Sequence, residues 1–264
     1  MEIFLISLFT IAHYPPTKSS KTITQQGEDM ASKSGPDIIE DGLVLCLDAA
    51  SKRSYPGTGT VWTDLKGVNN GTLTNGPTFD AGNGGSIVFD GGNDYVSILN
   101  NGKGSVFETN SYTVESFVYI DALSVNPRTI WSYDYTSFDP PYYSQHFRIG
   151  GGVAANGLRA AYNINGTYYY LEANGNLNNI NRWYALSTVI TSSRQELWIN
   201  GDVVASSSEV ISNILYYNQV VNIGRLPTYG AYFSEKISSV RMYNRALTPD
   251  EIRRNYLSTK ERFA

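Results

Sequence analysis

The residues best equipped for chemistry crowd into one stretch, Trp131-Ser132-Tyr133-Asp134-Tyr135-Thr136-Ser137-Phe138-Asp139-Pro140-Pro141-Tyr142-Tyr143. A sugar offers an apolar C–H face to aromatic rings and hydroxyls to carboxylates. Trp131, Tyr133, Tyr135, Tyr142 and Tyr143 supply rings, and Asp134 and Asp139 supply acceptors. The same residue types suit a protein interface or ordinary packing, because Tyr tolerates half-buried positions, and all three readings stand on the residues alone. Tyr168, Tyr169 and Tyr170 form a second aromatic group. Neighbours on a strand point to opposite sides, so Tyr168 and Tyr170 share one face and Tyr169 takes the other.

A second chemistry is hard-metal binding. Asp90, Asn93 and Asp94 flank a Gly-rich turn, and calcium takes oxygens from carboxylates, carbonyls and amides. The cheaper reading is turn stabilisation, since Asp and Asn side chains bond their own backbone. Hydrolysis finds less support. Retaining glycosidases need two carboxylates about 5 to 5.5 Å apart, and no strand pattern carries Asp or Glu at both i and i+2. Glu115 and Glu196 stand alone in their strands, and Asp250 and Glu251 belong to a helix cap. There is no G-x-S-x-G elbow, phosphate loop or dinucleotide fingerprint. His13 and His146 are the two histidines, and His146 sits within a strand pattern. The sequence therefore reads as non-catalytic.

The elements that must position these groups are short strands. The 264 residues are 41% hydrophobic but 17% charged, with 24 Gly and 20 Tyr, so Asn, Ser, Thr, Gly and Tyr must cover much of the surface. Runs of β-branched and aromatic residues recur at 43–48, 86–89, 95–98, 112–120, 128–133, 145–150, 157–163, 167–173, 183–190, 195–199, 202–206, 219–224 and 236–243. Residues 49–85 read as an irregular stretch anchored by Trp62 and Leu65. Asn165-Gly166 and Asn200-Gly201 are hairpin signals. In 112–120, Val114, Ser116, Val118 and Ile120 share a face opposite Thr113, Glu115, Phe117 and Tyr119. In the last strand, Ser238, Val240 and Met242 oppose Ile237, Ser239, Arg241 and Tyr243. After it, Thr248 caps a helix, Pro249 fits its first position and Glu251 completes a capping box; Ile252 and Tyr256 make its buried stripe. Such close-spaced strands with one terminal helix predict an all-β antiparallel sandwich.

Charge and cysteine usage exclude other classes. The net charge is −4 with no basic stretch, which argues against nucleic acid. Cys46 is the single cysteine, so no intrachain disulfide forms, and its apolar neighbours make it a buried hydrophobe. The apolar run at residues 1–12 is too short to span a membrane. Residues 1–36, with Pro15-Pro16 and Gly35-Pro36, read as an arm or linker ahead of a domain at 37–264. Met30-Ala31-Ser32 resembles an ordinary protein start, so either translation begins at Met30 or the first residues form an arm that packs on a neighbour.

The run SVRMYNRALTPDEIRRNY resembles the closing strand and helix of laminin-G-like domains in the concanavalin A-like jelly-roll superfamily. DGLVLCLDAASKRSYPGTGTVWTDLKG, NNGTLTNGPTF and GGSIVFDGGNDYVSI resemble the opening of the same domain, over roughly 37–262. The variants most similar to it occur in bacteriophage structural proteins. The resemblance implies a jelly-roll fold and a virion surface or decoration module, assembled in the host cytoplasm with other virion proteins and contacting glycans. A purely structural capsid or tail protein and a calcium-assisted bacterial adhesin are the alternatives. Many laminin-G-like domains hold calcium through ligands on separate loops, which do not map one by one onto this sequence.

Overall fold

The computed structural model describes residues 37–67, 69–99, 111–134, 143–150, 155–164, 167–209 and 220–263. The chain divides between Ser34 and Gly35. The arm expected over 1–36 lies outside the described residues.

In chain order the strands are β1 (Leu43–Asp48), β2 (Val61–Trp62), β3 (Gly71–Thr74), β4 (Thr78–Asp80), β5 (Ser86–Asp90) and β6 (Tyr95–Ile98). Then come β7 (Tyr112–Ile120), β8 (Arg128–Asp134), β9 (Tyr143–Ile149), β10 (Leu158–Ile164), β11 (Thr167–Ala173) and β12 (Arg182–Ile190). The last six are β13 (Gln195–Ile199), β14 (Asp202–Ser207), β15 (Val221–Ile223), β16 (Arg225–Leu226), β17 (Ala231–Tyr232) and β18 (Ser234–Tyr243), and helix α1 (Pro249–Thr259) follows. The first sheet runs β14-β13-β12-β7-β18-β5-β4, with β1 also on β18; the second runs β11-β10-β9-β8-β15-β6-β3-β2. Every pairing among the described strands is antiparallel. The two sheets enclose one core that takes Leu45, Leu47, Val114, Val118 and Ile120 from the first and Trp131, Phe147, Leu158, Tyr162 and Ile223 from the second. This is the sandwich the strand spacing implies.

Local expectations hold with instructive exceptions. The stretch 49–85 is not wholly irregular: β2 pairs with β3 inside it, β4 pairs with β5 just beyond it, and Trp62 is fully buried as its anchor. Asn200 and Gly201 both have positive φ, as the tight turn between β13 and β14 demands. Asn165-Gly166 lies outside the described residues, but Ile164 pairs with Thr167, so the link is two residues long. On β18 the register shifts between Ile237 and Ser239. That bulge adds Ser238, so Ile237 joins the core with Val240 and Met242 while Ser239, Arg241 and Tyr243 face outward. The strict alternation expected there put Ile237 on the wrong side.

Helix α1 begins as the sequence dictates. Glu251 donates its backbone N–H to Thr248 Oγ1 (3.3 Å), and the Thr248 N–H is held by the Glu251 carboxylate (2.8 Å). The helix lies over the outer face of the first sheet. Its buried positions are Ile252, Asn255 and Thr259, while Tyr256 is only half-buried. The stripe is thus partly polar, because polar groups of β7 and β18 lie beneath it. A second apolar cluster joins Leu43, Cys46, Trp198, Tyr243, Leu247 and Ile252. β1 is therefore covered on both sides, which accounts for its nearly continuous apolar sequence.

Candidate functional site

The outer face of the second sheet is buried at β9, where His146 and Arg148 are covered, and opens towards β10 and β11. Core-facing positions on β9, β10 and β11 are Phe147, Ile149, Ala160, Tyr162, Tyr169 and Leu171. Alternation turns His146, Arg148, Arg159, Tyr168, Tyr170 and Glu172 outward. The registers align Arg148, Arg159 and Glu172 in one row, and His146, Ala161 and Tyr170 in the next. Tyr168 and Tyr170 thus share the outer face while Tyr169 packs on the core, as the strand period implies.

These side chains touch one another. The Tyr168 hydroxyl lies 3.2 Å from His146 Nε2. The Tyr168 and Tyr170 ring centroids are 6.4 Å apart. The Arg159 guanidinium lies 4.9 Å from the Tyr170 centroid and is paired with Glu172. Tyr170 is 54% exposed, and His146 is 2% exposed. Burial, with the Arg148 and Arg159 charges beside it, holds His146 well below the usual imidazole range. It is a neutral ring at ordinary pH, fixed under the tyrosines. Aromatic faces, a guanidinium, a carboxylate and a hydroxyl meet here at one accessible edge. That combination stacks on a flat apolar face and bonds hydroxyls around it.

The residues expected from sequence are placed otherwise. Trp131 and Tyr133 are each 2% exposed and belong to the core, with Tyr112 5.9 Å from Trp131 by ring centroids. They are not a binding rim: β8 extends through Asp134, so the strand period turns both rings inward beside Ile223 and Val221. Asp134 pairs with Ser144 across β8 and β9, and Tyr143 starts β9; their side chains, and residues Tyr135, Asp139 and Tyr142, lie outside the described residues. Sequence reasoning missed Arg159 and Glu172. Their signal was the alternation Arg159-Ala160-Ala161-Tyr162 facing Tyr169-Tyr170-Leu171-Glu172.

Asp90, Asn93 and Asp94 sit at the opposite end of the sandwich. Asp90 begins the turn after β5, and Tyr95 pairs with Thr74 at the near end of β6, whereas Ile98 at its far end aligns through Val221 with Tyr133. Asp90 Oδ1 accepts the N–H groups of Gly92 (2.7 Å) and Asn93 (3.4 Å), and Asp94 Oδ2 accepts the Asp90 N–H (3.1 Å). Those backbone donors, Gly92 first, hold Asp90 below the usual carboxylate range, while burial pushes Asp94 up. The carboxylates thus staple their own turn. Among the described residues no three His, Cys, Asp or Glu side chains gather as metal ligands.

Two other carboxyls are strongly perturbed, a property shared by catalytic acids and structural pairs. Burial pushes Glu115 up to about 7, but it lies under α1, accepting from Asn255 Nδ2 (2.8 Å). Burial likewise raises Glu235 to about 8; its Oε1 accepts from Arg128 Nη1 (2.7 Å) and the N–H groups of Asp121 and Ala122 (3.2 Å each). Glu115 lines only a small cavity of about 10 Å3 under α1, and Glu235 is held by Arg128 and by backbone N–H groups.

Comparison with known proteins fits this geometry. No match was found among curated proteins. Among solved structures, domain 4 of the extracellular arabinanase AbnA from Geobacillus stearothermophilus, in complex with arabinotriose, superposes with TM-score 0.63 at 16% identity, covering 83% of this chain and 100% of that one. The Trypanosoma rangeli sialidase gives 0.62 at 16% identity over 88% of this chain and 35% of its own. The receptor-binding domain of the botulinum neurotoxin C/D mosaic gives 0.61 at 17% identity over 83% and 51%. The chain thus spans all of the arabinanase domain but about a third of the sialidase and half of the toxin domain. At these identities the likeness is one of fold. The Laminin_G_3 family model, described as the concanavalin A-like lectin/glucanases superfamily, matches residues 90–253, and with that match and this sandwich the chain belongs to that family.

Proposed function

We propose that the protein is a non-catalytic glycan-binding module whose site is the outer face of β9, β10 and β11. The carrying observation is the outward Tyr168–Tyr170 pair, Tyr170 exposed and Tyr168 half-buried, flanked by the Arg159–Glu172 ion pair and floored by neutral His146. A sugar ring stacks on Tyr170 while its hydroxyls bond Glu172, Arg159 and Tyr168. The arabinotriose-bound arabinanase domain supports this reading by its shared fold. Placement on a virion surface, among other virion proteins, is supported by the resemblance of the closing strand and helix to bacteriophage structural proteins.

A glycan array probed with and without chelator tests the proposal. The expected result is binding that survives chelation and drops about tenfold in Tyr170→Ala, the order expected when one anchoring contact is lost. Binding that disappears with chelator would return calcium to the account. Absence of binding across diverse glycans, or an unaffected Tyr170→Ala variant, would leave the purely structural alternative.

A further inference from the structure

The sequence contains eight Asn-Gly dipeptides, and this pairing carries a chemistry of its own. The asparagine amide is thermally labile, and the backbone nitrogen of the following glycine is held next to it by the chain itself. That nitrogen attacks the side-chain Cγ, unhindered because glycine has no Cβ. A new C–N bond forms, the bond from Cγ to Nδ2 breaks, and the amide nitrogen leaves as ammonia with the proton of the glycine N–H. Water then opens the five-membered imide at one of its two carbonyls, which leaves aspartate or isoaspartate.

In the folded protein the attack needs an amide free to turn onto that nitrogen. Six of the dipeptides lie among the described residues, at Asn70, Asn75, Asn83, Asn156, Asn174 and Asn200, and five of these amides are held. Asn200 Oδ1 accepts the Ala185 N–H (2.9 Å), and Asn70 Oδ1 accepts that of Asp64 (2.9 Å). Asn75 Nδ2 donates to the Asn93 carbonyl (2.9 Å), and Asn156 Nδ2 donates to Asn178 Oδ1. Asn83 is fixed at both ends, by the Trp183 indole N–H (3.1 Å) and the Arg262 carbonyl (3.4 Å). Asn174 differs: it is exposed, and its side chain makes no hydrogen bond among the described residues. Its glycine is equally open. β11 ends at Ala173, paired with Leu158, so the Gly175 N–H stands outside the ladder. Gly175 has φ +79°, with nothing within 4 Å of where a Cβ would stand.

We propose that Asn174-Gly175 is a site of spontaneous covalent modification, at which water converts the asparagine to aspartate and isoaspartate without an enzyme. Either product carries a carboxylate two residues from Glu172. Isoaspartate also lengthens the main chain by a methylene where β11 ends. The reaction is set by this turn alone and does not depend on what the protein binds.

The test ages the full chain at mildly alkaline pH, folded and in guanidinium chloride, and follows each Asn-Gly peptide by mass spectrometry. Trypsin cuts after Arg159 and Arg182, which leaves Asn174 in one peptide with Asn165; fragmentation of that peptide separates the two. In the denatured chain all the dipeptides are free and should convert at similar rates. In the folded protein Asn174 should convert first among the six, about fivefold ahead of Asn200, the order set by one hydrogen bond of ordinary net strength. Asn174→Ser should remove the earliest isoaspartate, detected by enzymatic methyl labelling; if that variant does not fold, the folded-to-denatured rate ratios of the wild type decide. The proposal is overturned if folded Asn174 converts no faster than Asn200, or if folding slows Asn174 as much as it slows Asn200.

Discussion

Under helix α1, on the outer face of the first sheet, Asn255 donates to Glu115 and to the Tyr243 hydroxyl (3.0 Å), while Tyr243 donates to the Ile39 carbonyl (3.0 Å). Arg241 Nη2 reaches Thr259 Oγ1 at 3.2 Å. On the outer face of the second sheet, similar residue types at the same strand period, Tyr168, Tyr170, Arg159 and Glu172, are left partly in water. Alternation decides which residues point outward; whether another element then covers them decides what they do. Covered, polar groups must satisfy one another and become fixed structure. Uncovered, they remain available to a ligand. The same contrast applies to rings: the inward Trp131 is structure, and the outward Tyr170 is surface.

That contrast predicts its largest effect at Trp131. Trp131→Ala should cost about 3–5 kcal/mol through the cavity it opens, measured by urea denaturation. Tyr170→Ala should stay within about 0.5 kcal/mol, as exposed substitutions do. Equal costs at the two positions would erase the distinction between core and site.

The covered face also predicts a pH dependence. Glu115 folds with its carboxyl near 7 instead of its ordinary 4.5, so the folded state favours the protonated form. Its contribution to stability is fully present below about pH 4.5 and is lost as pH rises through 7, by about 3 kcal/mol at most. Glu235, raised to about 8, acts in the same direction and extends the decline. His146, held below its ordinary 6.5, acts in the opposite direction up to about that pH, so the net fall in stability measured by denaturation should be clearest from about pH 6.5 to 8. Glu115→Gln should flatten the part of the decline below pH 7 and leave the part that belongs to Glu235. A Glu115→Gln profile parallel to that of the wild type would mean that α1 does not seal Glu115.

Much of this architecture was legible because it depends on local signals. Strand period placed Tyr168 and Tyr170 together and Val118 opposite Phe117, and Thr248-Pro249-Asp250-Glu251 marked the helix start to the residue. What could not be read depends on long-range pairing. One extra residue at Ser238 moves Ile237 across β18, and nothing local distinguishes a bulge from an unbroken strand. Trp131 and Tyr133 alternate with Ser132 and Asp134 at the end of the expected strand 128–133, a pattern that already gave them one shared face; grouping them with the aromatics that follow put composition ahead of period. That Asp90 and Tyr133 stand at opposite ends follows from the register of β6 with β15 and of β15 with β8. The β6 and β15 partners are 123–127 residues apart in sequence, and the β15 and β8 partners 88–92. The covering helix turned isolated Glu115 into a buried, perturbed carboxyl, and β7 alone carries no sign of that.

The smallest effect separates the two faces dynamically. Thr248→Ala removes the side-chain acceptor for the Glu251 N–H and half of the capping box, at a cost of about 1 kcal/mol. The Glu251 carboxylate keeps its bidentate contact to Arg245 (2.8 and 2.7 Å), so the helix should loosen without detaching. Amide hydrogen exchange should then speed up in α1, by up to about fivefold for that free energy. Protection in β9 and β10 should be unchanged, because among the described residues the apolar cluster and hydrogen bonds of α1 join it to the first sheet. Exchange that accelerates equally in both places would show that the faces open as one cooperative unit, and the covered face could then no longer be treated as a lid separate from the sandwich it sits on.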